Sequence, residues 1–167
     1  MLFIASRIEV VYAETVWYKG TQENRIFEMS TLDQLTDDEL RTLILKKQIE
    51  YIKLCQDNFL LFVKAMWPDF ICRQTEDPEN WGHHQIIANE FQDISSKESK
   101  RLIVNMPPRH TKSEFASYLF PAWMIGKNPK MKLMQVSHNA ELASRFGSKV
   151  RNLMETEDYK SIFGDVS

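Results

Sequence analysis

The chain has 167 residues, of which 43% are hydrophobic and 26% are charged, and its formal net charge is −2. This composition is typical of a globular protein with room for one modest domain, and no apolar run reaches the roughly 18 residues that a membrane-spanning helix needs. The two cysteines are too few for a disulfide framework. The four histidines lack metal-ligand spacing to a cysteine, so we predict no structural zinc.

Charge is distributed unevenly along the chain. Residues 28–93 carry 13 acidic and 6 basic side chains, whereas residues 97–151 carry 11 basic and 3 acidic ones. A cationic segment suits a polyanion, either a nucleotide phosphate or a nucleic acid. A solvated helix face of mixed charge is the alternative at this point.

The first 28 residues show weak alternation of apolar residues and then a polar stretch. We predict a poorly ordered extension, or upstream sequence translated from a misassigned start codon, because Met29 opens a stretch that itself reads as a natural start. Mass spectrometry of the natural product separates the two readings, since the second requires an N-terminus at Ser30.

Residues 36–67 have the pattern of two helices. Thr36 and Glu39 form the pattern of a capping box, in which each side chain satisfies a backbone amide at the start of a helix. Asn58 lies where the pattern is interrupted, and Pro68 ends the second helix. The aromatic residues of the second helix recur at helical spacing, which indicates core positions. A third, short helix is predicted in the stretch "HHQIIANEFQDI".

The pattern changes after residue 97. The apolar runs 101–106 and 132–137 predict two buried parallel strands. Helical sequence follows each run: one helix from Lys112 to about Ile125, bent at Pro121, and one that Asn139 can cap. The order strand, loop, helix, strand, helix predicts the beginning of a βαβ arrangement.

The loop between the first predicted strand and its helix, "NMPPRHTKSE" at 105–114, contains no glycine. A phosphate-binding loop has the pattern G-x-x-x-x-G-K-[ST], and alignment on Lys112 and Ser113 places Thr111 at the second glycine. The lysine would reach phosphate oxygens and the hydroxyl would bind Mg²⁺. Glycine serves such loops by tolerating a positive φ. We expect that threonine can take its place at position 111 only with a negative φ, since a β-branched residue at positive φ is an outlier.

The stretch "RLIVNMPPRHTKSEFASYLFPAW" resembles the ATPase domain of the large terminase subunits of tailed bacteriophages, which are DNA-packaging motors. That family carries a deviant Walker A loop, typically P-P-R-H-G-K-S. It is matched here by Pro107, Pro108, Arg109, His110, Lys112 and Ser113, with Thr111 in the place of the glycine. "MQVSHNAELASRFG" and "WGHHQIIANEF" are also similar to family segments, so the resemblance covers roughly residues 55–167.

The resemblance implies ATP and Mg²⁺ as cofactors and assigns a role to each matched residue. Lys112 would contact the β and γ phosphates and Ser113 would ligate Mg²⁺. Arg109 would be the catalytic residue that stabilises transition-state charge, or else a phosphate-binding or structural arginine. Gln85 would read the adenine edge, or else cap a helix or lie at the surface. The implied cofactor-binding set is Gln85, Pro108, Arg109, His110, Thr111, Lys112 and Ser113.

The remaining histidines and basic residues receive plainer interpretations. We expect His83 and His84 to be packing or capping residues, His110 to shape the loop, and His138 to be a neighbour of a helix cap. Three basic residues share the last predicted helix: Arg145, Lys149 and Arg151. DNA, a neighbouring subunit and solvent are the alternatives for them, and we expect them to face solvent or another subunit.

We therefore predict an α/β fold, an incomplete P-loop NTPase in which helices flank a parallel sheet, preceded by an N-terminal helical region. The predicted regions are the extension 1–28, a helical region 29–96 with the adenine-binding segment, and the start of the ATPase domain at 97–167. The resemblance implies a Walker B acid pair and a nuclease domain for a complete motor, and neither follows here. We expect a truncated gene, a partial reading frame or a split motor.

The predicted function is the ATP-binding part of a viral motor that moves double-stranded DNA into a procapsid, without robust turnover alone. The resemblance implies as partners double-stranded DNA, a portal protein, a small terminase subunit and further copies of the chain in a ring. It places the protein in the cytoplasm of the bacterial host, and no membrane partner is expected. Two alternatives remain open: a fragment of another nucleic-acid-dependent P-loop ATPase, such as a helicase, and a non-catalytic interaction module.

Overall fold

A computed structural model of the protein describes residues 36–68 and 82–165, so the predicted extension 1–28 lies outside the described residues. Within those two ranges 70% of the residues are helical and none belongs to a β-strand. The chain divides into two compact units, Met1–Lys53 and Leu54–Ser167.

The described residues form seven α-helices in chain order. They are α1 (Asp37–Asp57), α2 (Phe59–Met66), α3 (Gly82–Ser96), α4 (Lys112–Glu114), α5 (Phe120–Lys127), α6 (Ala140–Met154) and α7 (Glu157–Phe163). A π-helical segment, Phe115–Leu119, joins α4 to α5, and we call the continuous run from Lys112 to Lys127 the loop helix. None of the helices in the described ranges is both long enough and apolar enough to cross a membrane.

The predicted start of α1 is confirmed by its hydrogen bonds. The backbone N–H of Thr36 donates to Glu39 Oε2 at 2.9 Å, and the backbone N–H of Glu39 donates to Thr36 Oγ1 at 3.4 Å. These two bonds form the capping box, and the bond from the Thr36 backbone is the main cause that lowers the pKa of Glu39. The predicted interruption is also confirmed, because Asn58 Oδ1 accepts the backbone N–H of Leu61 at 3.0 Å and starts α2.

Gln92 of α3 holds the break between α1 and α2 with both ends of its amide. Its Oε1 accepts the backbone N–H of Phe59 at 2.9 Å, and its Nε2 donates to the carbonyl of Asp57 at 2.8 Å. A helix end leaves such N–H and C=O groups without intrahelical partners. One side chain therefore satisfies one orphan group in each of two consecutive helices and attaches both to α3.

An aromatic cluster forms the core of the second unit. The ring of Phe59 lies 5.2–5.9 Å, centroid to centroid, from the rings of Phe91, Phe115, Phe120 and Trp123. Edge-on contacts of this kind add to the stabilisation from apolar burial. Trp123 is fully buried, and its Nε1 donates to the carbonyl of Cys55 at 2.9 Å. The prediction that the aromatic residues of α2 form core is confirmed for Phe59 and Phe62.

The last helix, α7, attaches closely to α5. The hydroxyl of Tyr159 donates to the carbonyl of Ala122 at 2.8 Å, and burial raises the pKa of Tyr159 to about 12. A Cβ at Gly126 would lie 2.5 Å from Cγ of Phe163 and 2.7 Å from the hydroxyl of Tyr159. Glycine at this position therefore permits the close approach of the two helices.

Pro121 explains the π-helical segment within the loop helix. Proline has no backbone N–H, so the carbonyl of Ser117, four residues earlier, loses its α-helical donor. The backbone N–H of Phe120 donates to the carbonyl of Phe115, five residues earlier, which is the π pattern. Gln135 Nε2 donates to the carbonyl of Ser117 at 3.0 Å and replaces the missing bond. The helix predicted from Lys112 is confirmed and extends to Lys127.

The predicted parallel sheet is wrong. Residues 101–107 and 131–137 are neither helical nor in strands, and no backbone hydrogen bond joins these two segments. Side chains of 101–106 alternate between exposed and half-buried. The apolar side chains that a buried strand would cover are open instead, since Ile103 is 93% exposed and Val136 is 80% exposed. A β-strand requires a neighbour that pairs its N–H and C=O groups. Neither segment has one among the described residues, so a helical fold replaces the predicted α/β P-loop fold.

Candidate functional site

The predicted phosphate loop is a tight turn before the loop helix. Arg109 has φ +66° and Thr111 has φ +63°, and both angles lie in the left-handed region. This conformation costs an L-residue about 1–2 kcal/mol, and more where the side chain is branched at Cβ. The expectation of a negative φ at Thr111 is therefore wrong. Thr111 adopts the backbone conformation that a glycine at this position would supply.

The hydroxyl of Thr111 connects the loop to α3. It donates to the carbonyl of His110 at 2.6 Å and lies 2.9 Å from Nε2 of His84. A hydroxyl has one proton, so when it donates to the carbonyl of His110 it can only accept from His84. This arrangement uses the His84 tautomer that carries its proton on Nε2.

The ring of His84 is fixed by its surroundings. It is 8% exposed and stacks on Phe115, with ring centroids 5.5 Å apart and planes 8° from parallel. Burial lowers the pKa of His84 to about 4, with a smaller effect from His83. The prediction of a packing role for His84 is confirmed, but its bond to Thr111 was not foreseen.

Three histidine rings lie close together beside the loop. The centroid of His83 is 4.1 Å from that of His84 and 5.7 Å from that of His110. Burial lowers the pKa of His83, and His110 lowers it further. The Nε2 of His83 is buried and has no hydrogen-bond partner among the described residues. His110 Nδ1 lies 3.0 Å from the carbonyl of Pro108, which agrees with the predicted role of His110 in shaping the loop.

Lys112 folds back over the loop from the first residue of α4. Its Nζ donates to the carbonyl of Met106 at 2.7 Å and makes a longer contact of 3.5 Å with the carbonyl of Pro107. The ammonium has three N–H donors, so capacity remains for another acceptor. Ser113 follows at the same helix end and is exposed. The first N–H groups of a helix have no intrahelical acceptors, which favours an anion at this end.

The other predicted site residues lie in different surroundings. The side chain of Arg109 is exposed and pairs with no acidic side chain within 36–68 and 82–165. Gln85 is half-buried in the first turn of α3, next to His84. Pro108 is exposed in the turn itself. The structure thus brings the loop and the start of α3 together through the contact between His84 and Thr111.

Lys149 of α6 forms an ion pair within the chain, whereas we expected it to face solvent or another subunit. Its Nζ lies 2.9 and 3.0 Å from the two carboxylate oxygens of Glu114, in the helix that follows the loop. It also lies 5.2 Å from the ring centroid of Tyr118. The pair attaches α6 to the loop helix. Glu114 and Lys149 are 35 residues apart in the sequence, so the local pattern of residues did not predict their ion pair. Arg145 and Arg151 of the same helix are exposed, as predicted.

A cavity of about 670 Å³ lies elsewhere in the second unit. Ile125, Val150 and Met154 provide its apolar wall, and Arg151 and Lys160 are among its polar residues. None of the residues of the loop 105–114 lines it. Two of its polar residues, Lys160 and Asp165, pair with each other at 3.6 Å.

Comparison of the chain with models of known protein families, with curated proteins and with solved structures finds no match. The likeness to terminase large subunits therefore depends on the loop and its flanking motifs alone.

Proposed function

We propose that residues 107–113 bind the triphosphate of Mg-ATP and that the chain is the nucleotide-binding part of a viral DNA-packaging motor. The observation that carries the proposal is the start of the loop helix. There Lys112 and Ser113 follow a turn in which Thr111 holds the left-handed conformation of the missing glycine. The proposal depends on this local geometry and on the motif resemblance, and it makes no use of a sheet.

The residues present suit the chemistry of the cofactor. The Lys112 ammonium already lies over acceptor oxygens of the loop, so phosphate oxygens can replace the long contact to the carbonyl of Pro107. An exposed serine hydroxyl is an oxygen ligand of the kind that Mg²⁺ prefers. Bound Mg²⁺ would neutralise charge on the phosphate oxygens. The exposed Arg109 is a further donor for them, and its planar group suits phosphate geometry.

The charge of the surrounding segment supports a polyanionic partner. Residues 97–151 contain 11 basic and 3 acidic side chains, and Lys149 engages one of those acids, Glu114. The exposed arginines of α6 add positive charge outside the loop. We extend the proposal to double-stranded DNA as the polymer that the motor moves. The portal protein, the small terminase subunit, the ring of copies and the host cytoplasm enter the proposal through the resemblance alone.

A second candidate function is a non-catalytic interaction module. The exposure of four large apolar side chains on the segments 101–107 and 131–137 favours it: Ile103 at 93%, Met134 at 88%, Val136 at 80% and Leu133 at 46%. Exposed apolar surface of this kind often marks a protein contact. This function requires no nucleotide, so nucleotide binding distinguishes the two candidates.

The test measures the binding of a fluorescent ATP analogue with and without Mg²⁺. Lys112→Ala is expected to abolish binding, because it removes the cation of the loop, and Ser113→Ala is expected to reduce the gain that Mg²⁺ gives. Lys130→Ala is the matched control, since it removes an exposed lysine in the turn after α5. Equal affinity of the wild type and Lys112→Ala, with unchanged helical circular dichroism, would reject the nucleotide site.

A further inference from the structure

A threonine at position 111 can make a bond that a glycine cannot. Its hydroxyl lies 2.9 Å from Nε2 of His84, a residue of α3 that is 27 positions earlier in the chain. The same hydroxyl donates to the carbonyl of His110 at 2.6 Å, within the turn. One oxygen thus connects the strained turn to a helix outside it.

The histidine is a rigid anchor for this bond. Its ring is buried and stacks in parallel on Phe115, the first residue of the π-helical segment. The loop helix therefore contacts His84 on one face of the ring, and the loop contacts the nitrogen at its edge. Movement of the turn away from its left-handed conformation would break the bond to Nε2, because the ring cannot follow.

We propose that His84 is a positioning residue that, through the hydroxyl of Thr111, holds the loop in the conformation that binds phosphate. The inference rests on the proposed nucleotide site and deepens it. A glycine at position 111 has no side chain to make this bond, whereas the threonine connects the loop to α3 without any ligand. Because α3 also carries Gln85, the bond connects the predicted adenine-binding helix directly to the phosphate loop.

Thr111→Val and Thr111→Ser test the proposal as a matched pair. Valine keeps the branched Cβ but removes the oxygen, so affinity for the Mg-ATP analogue is expected to fall by roughly threefold to tenfold, the range of one lost hydrogen bond. Serine keeps the oxygen, and its affinity is expected to stay within about twofold of the wild type. Unchanged affinity in Thr111→Val, while Lys112→Ala still abolishes binding, overturns the positioning role and leaves the nucleotide site intact.

Variants at the other partner give the rescue test. His84→Leu removes the donor and is expected to weaken binding as much as Thr111→Val does. The double variant is expected to bind no more weakly than either single variant, because both remove the same bond. His84→Gln returns an amide N–H near the position of Nε2 and is expected to recover most of the affinity. Additive losses in the double variant contradict the proposal.

A measurement without nucleotide separates this inference from the proposed function. Imidazole ¹⁵N spectra are expected to show His84 protonated on Nε2, with slow exchange of that proton in the wild type and Thr111→Ser and fast exchange in Thr111→Val. Amide exchange in the loop is expected to rise by roughly threefold to tenfold in Thr111→Val. If the wild type binds no nucleotide but these differences appear, the proposed nucleotide site is rejected and the role of His84 in holding the loop is supported. If the differences do not appear, the role of His84 is rejected.

Discussion

Thr111 combines an unfavourable backbone conformation with a side-chain bond to a distant helix. Sequence reasoning expected a negative φ because branching at Cβ disfavours the left-handed region. Branching at Cβ acts in this way on an isolated residue, but the hydroxyl of Thr111 also lies 2.9 Å from Nε2 of His84. A polar residue at the glycine position of a motif can thus have a partner far away in the sequence. The residue types of the loop were predictable from the sequence, and the bond that holds its shape was not.

The buried histidine predicts a dependence of stability on pH. The pKa of His84 is lowered from its usual value to about 4, so the folded state keeps the ring neutral while the unfolded chain takes up a proton below about pH 6.5. The stabilisation is complete above that pH and is lost as pH falls toward 4. The lowered pKa of the neighbouring His83 acts in the same direction.

Urea unfolding at pH 7 and pH 5 measures this effect. We expect the wild type to lose on the order of 1–2 kcal/mol more than His84→Gln does between the two pH values, after allowance for partial solvation of the ring. His138→Gln, which removes an exposed histidine, controls for the loss of a histidine as such. The same loss in the wild type and in His84→Gln would show that another group causes the effect.

Helices and their ends were the elements that the sequence predicted well. The caps at Thr36, Asn58 and Asn139 all form, and Asn139 Oδ1 accepts the backbone N–H of Glu141 at 2.8 Å. A cap involves residues two or three positions apart, so a short stretch of sequence contains the whole interaction. The two bonds of Gln92 to the break before α2 join residues more than 30 positions apart, and local sequence carries no record of them.

The bond from Gln135 to the π-helical segment replaces the backbone bond that Pro121 removes, and this leads to a prediction. Gln135→Ala is expected to destabilise the wild type by about 0.5–1 kcal/mol, because the carbonyl of Ser117 then loses its donor. In a Pro121→Ala background the same change is expected to have less than half that effect, since alanine supplies the missing backbone N–H.

A double-mutant cycle by urea unfolding measures the coupling between these two positions. Lys132→Ala, an exposed change in the same segment as Gln135, is the control and should show no coupling to Pro121. Equal effects of Gln135→Ala in both backgrounds would mean that Pro121 does not create the orphan carbonyl.

For the whole molecule, the predicted sheet was wrong because it required two segments far apart in the sequence to pair. The runs 101–106 and 132–137 have the composition of strands, and local composition was all that the prediction used. A sheet depends on pairing between segments, which composition does not report. In the described residues the core instead gathers helices around Phe59, with Phe91, Phe115, Phe120 and Trp123 in contact with its ring.

The open surface of these two segments leads to a prediction opposite to that for a buried sheet. Ile103→Thr and Val136→Thr are expected to change the free energy of unfolding by less than about 0.5 kcal/mol each, because both side chains are already in water. Phe59→Ala, at a fully buried position, is expected to cost about 3–5 kcal/mol in the same urea experiment. A loss above about 2 kcal/mol in either threonine variant would show that these residues are buried after all.

The glycine at position 126 has a consequence for the end of the described chain. Tyr159 and Phe163 occupy the space above Gly126. The helix α7 can approach α5 there because α5 carries no side chain at that position. A single methyl group at position 126 would overlap the ring of Phe163 and the hydroxyl of Tyr159. It would displace that hydroxyl from the carbonyl of Ala122. The position of α7 along α5 therefore depends on the glycine at position 126, which has no side chain.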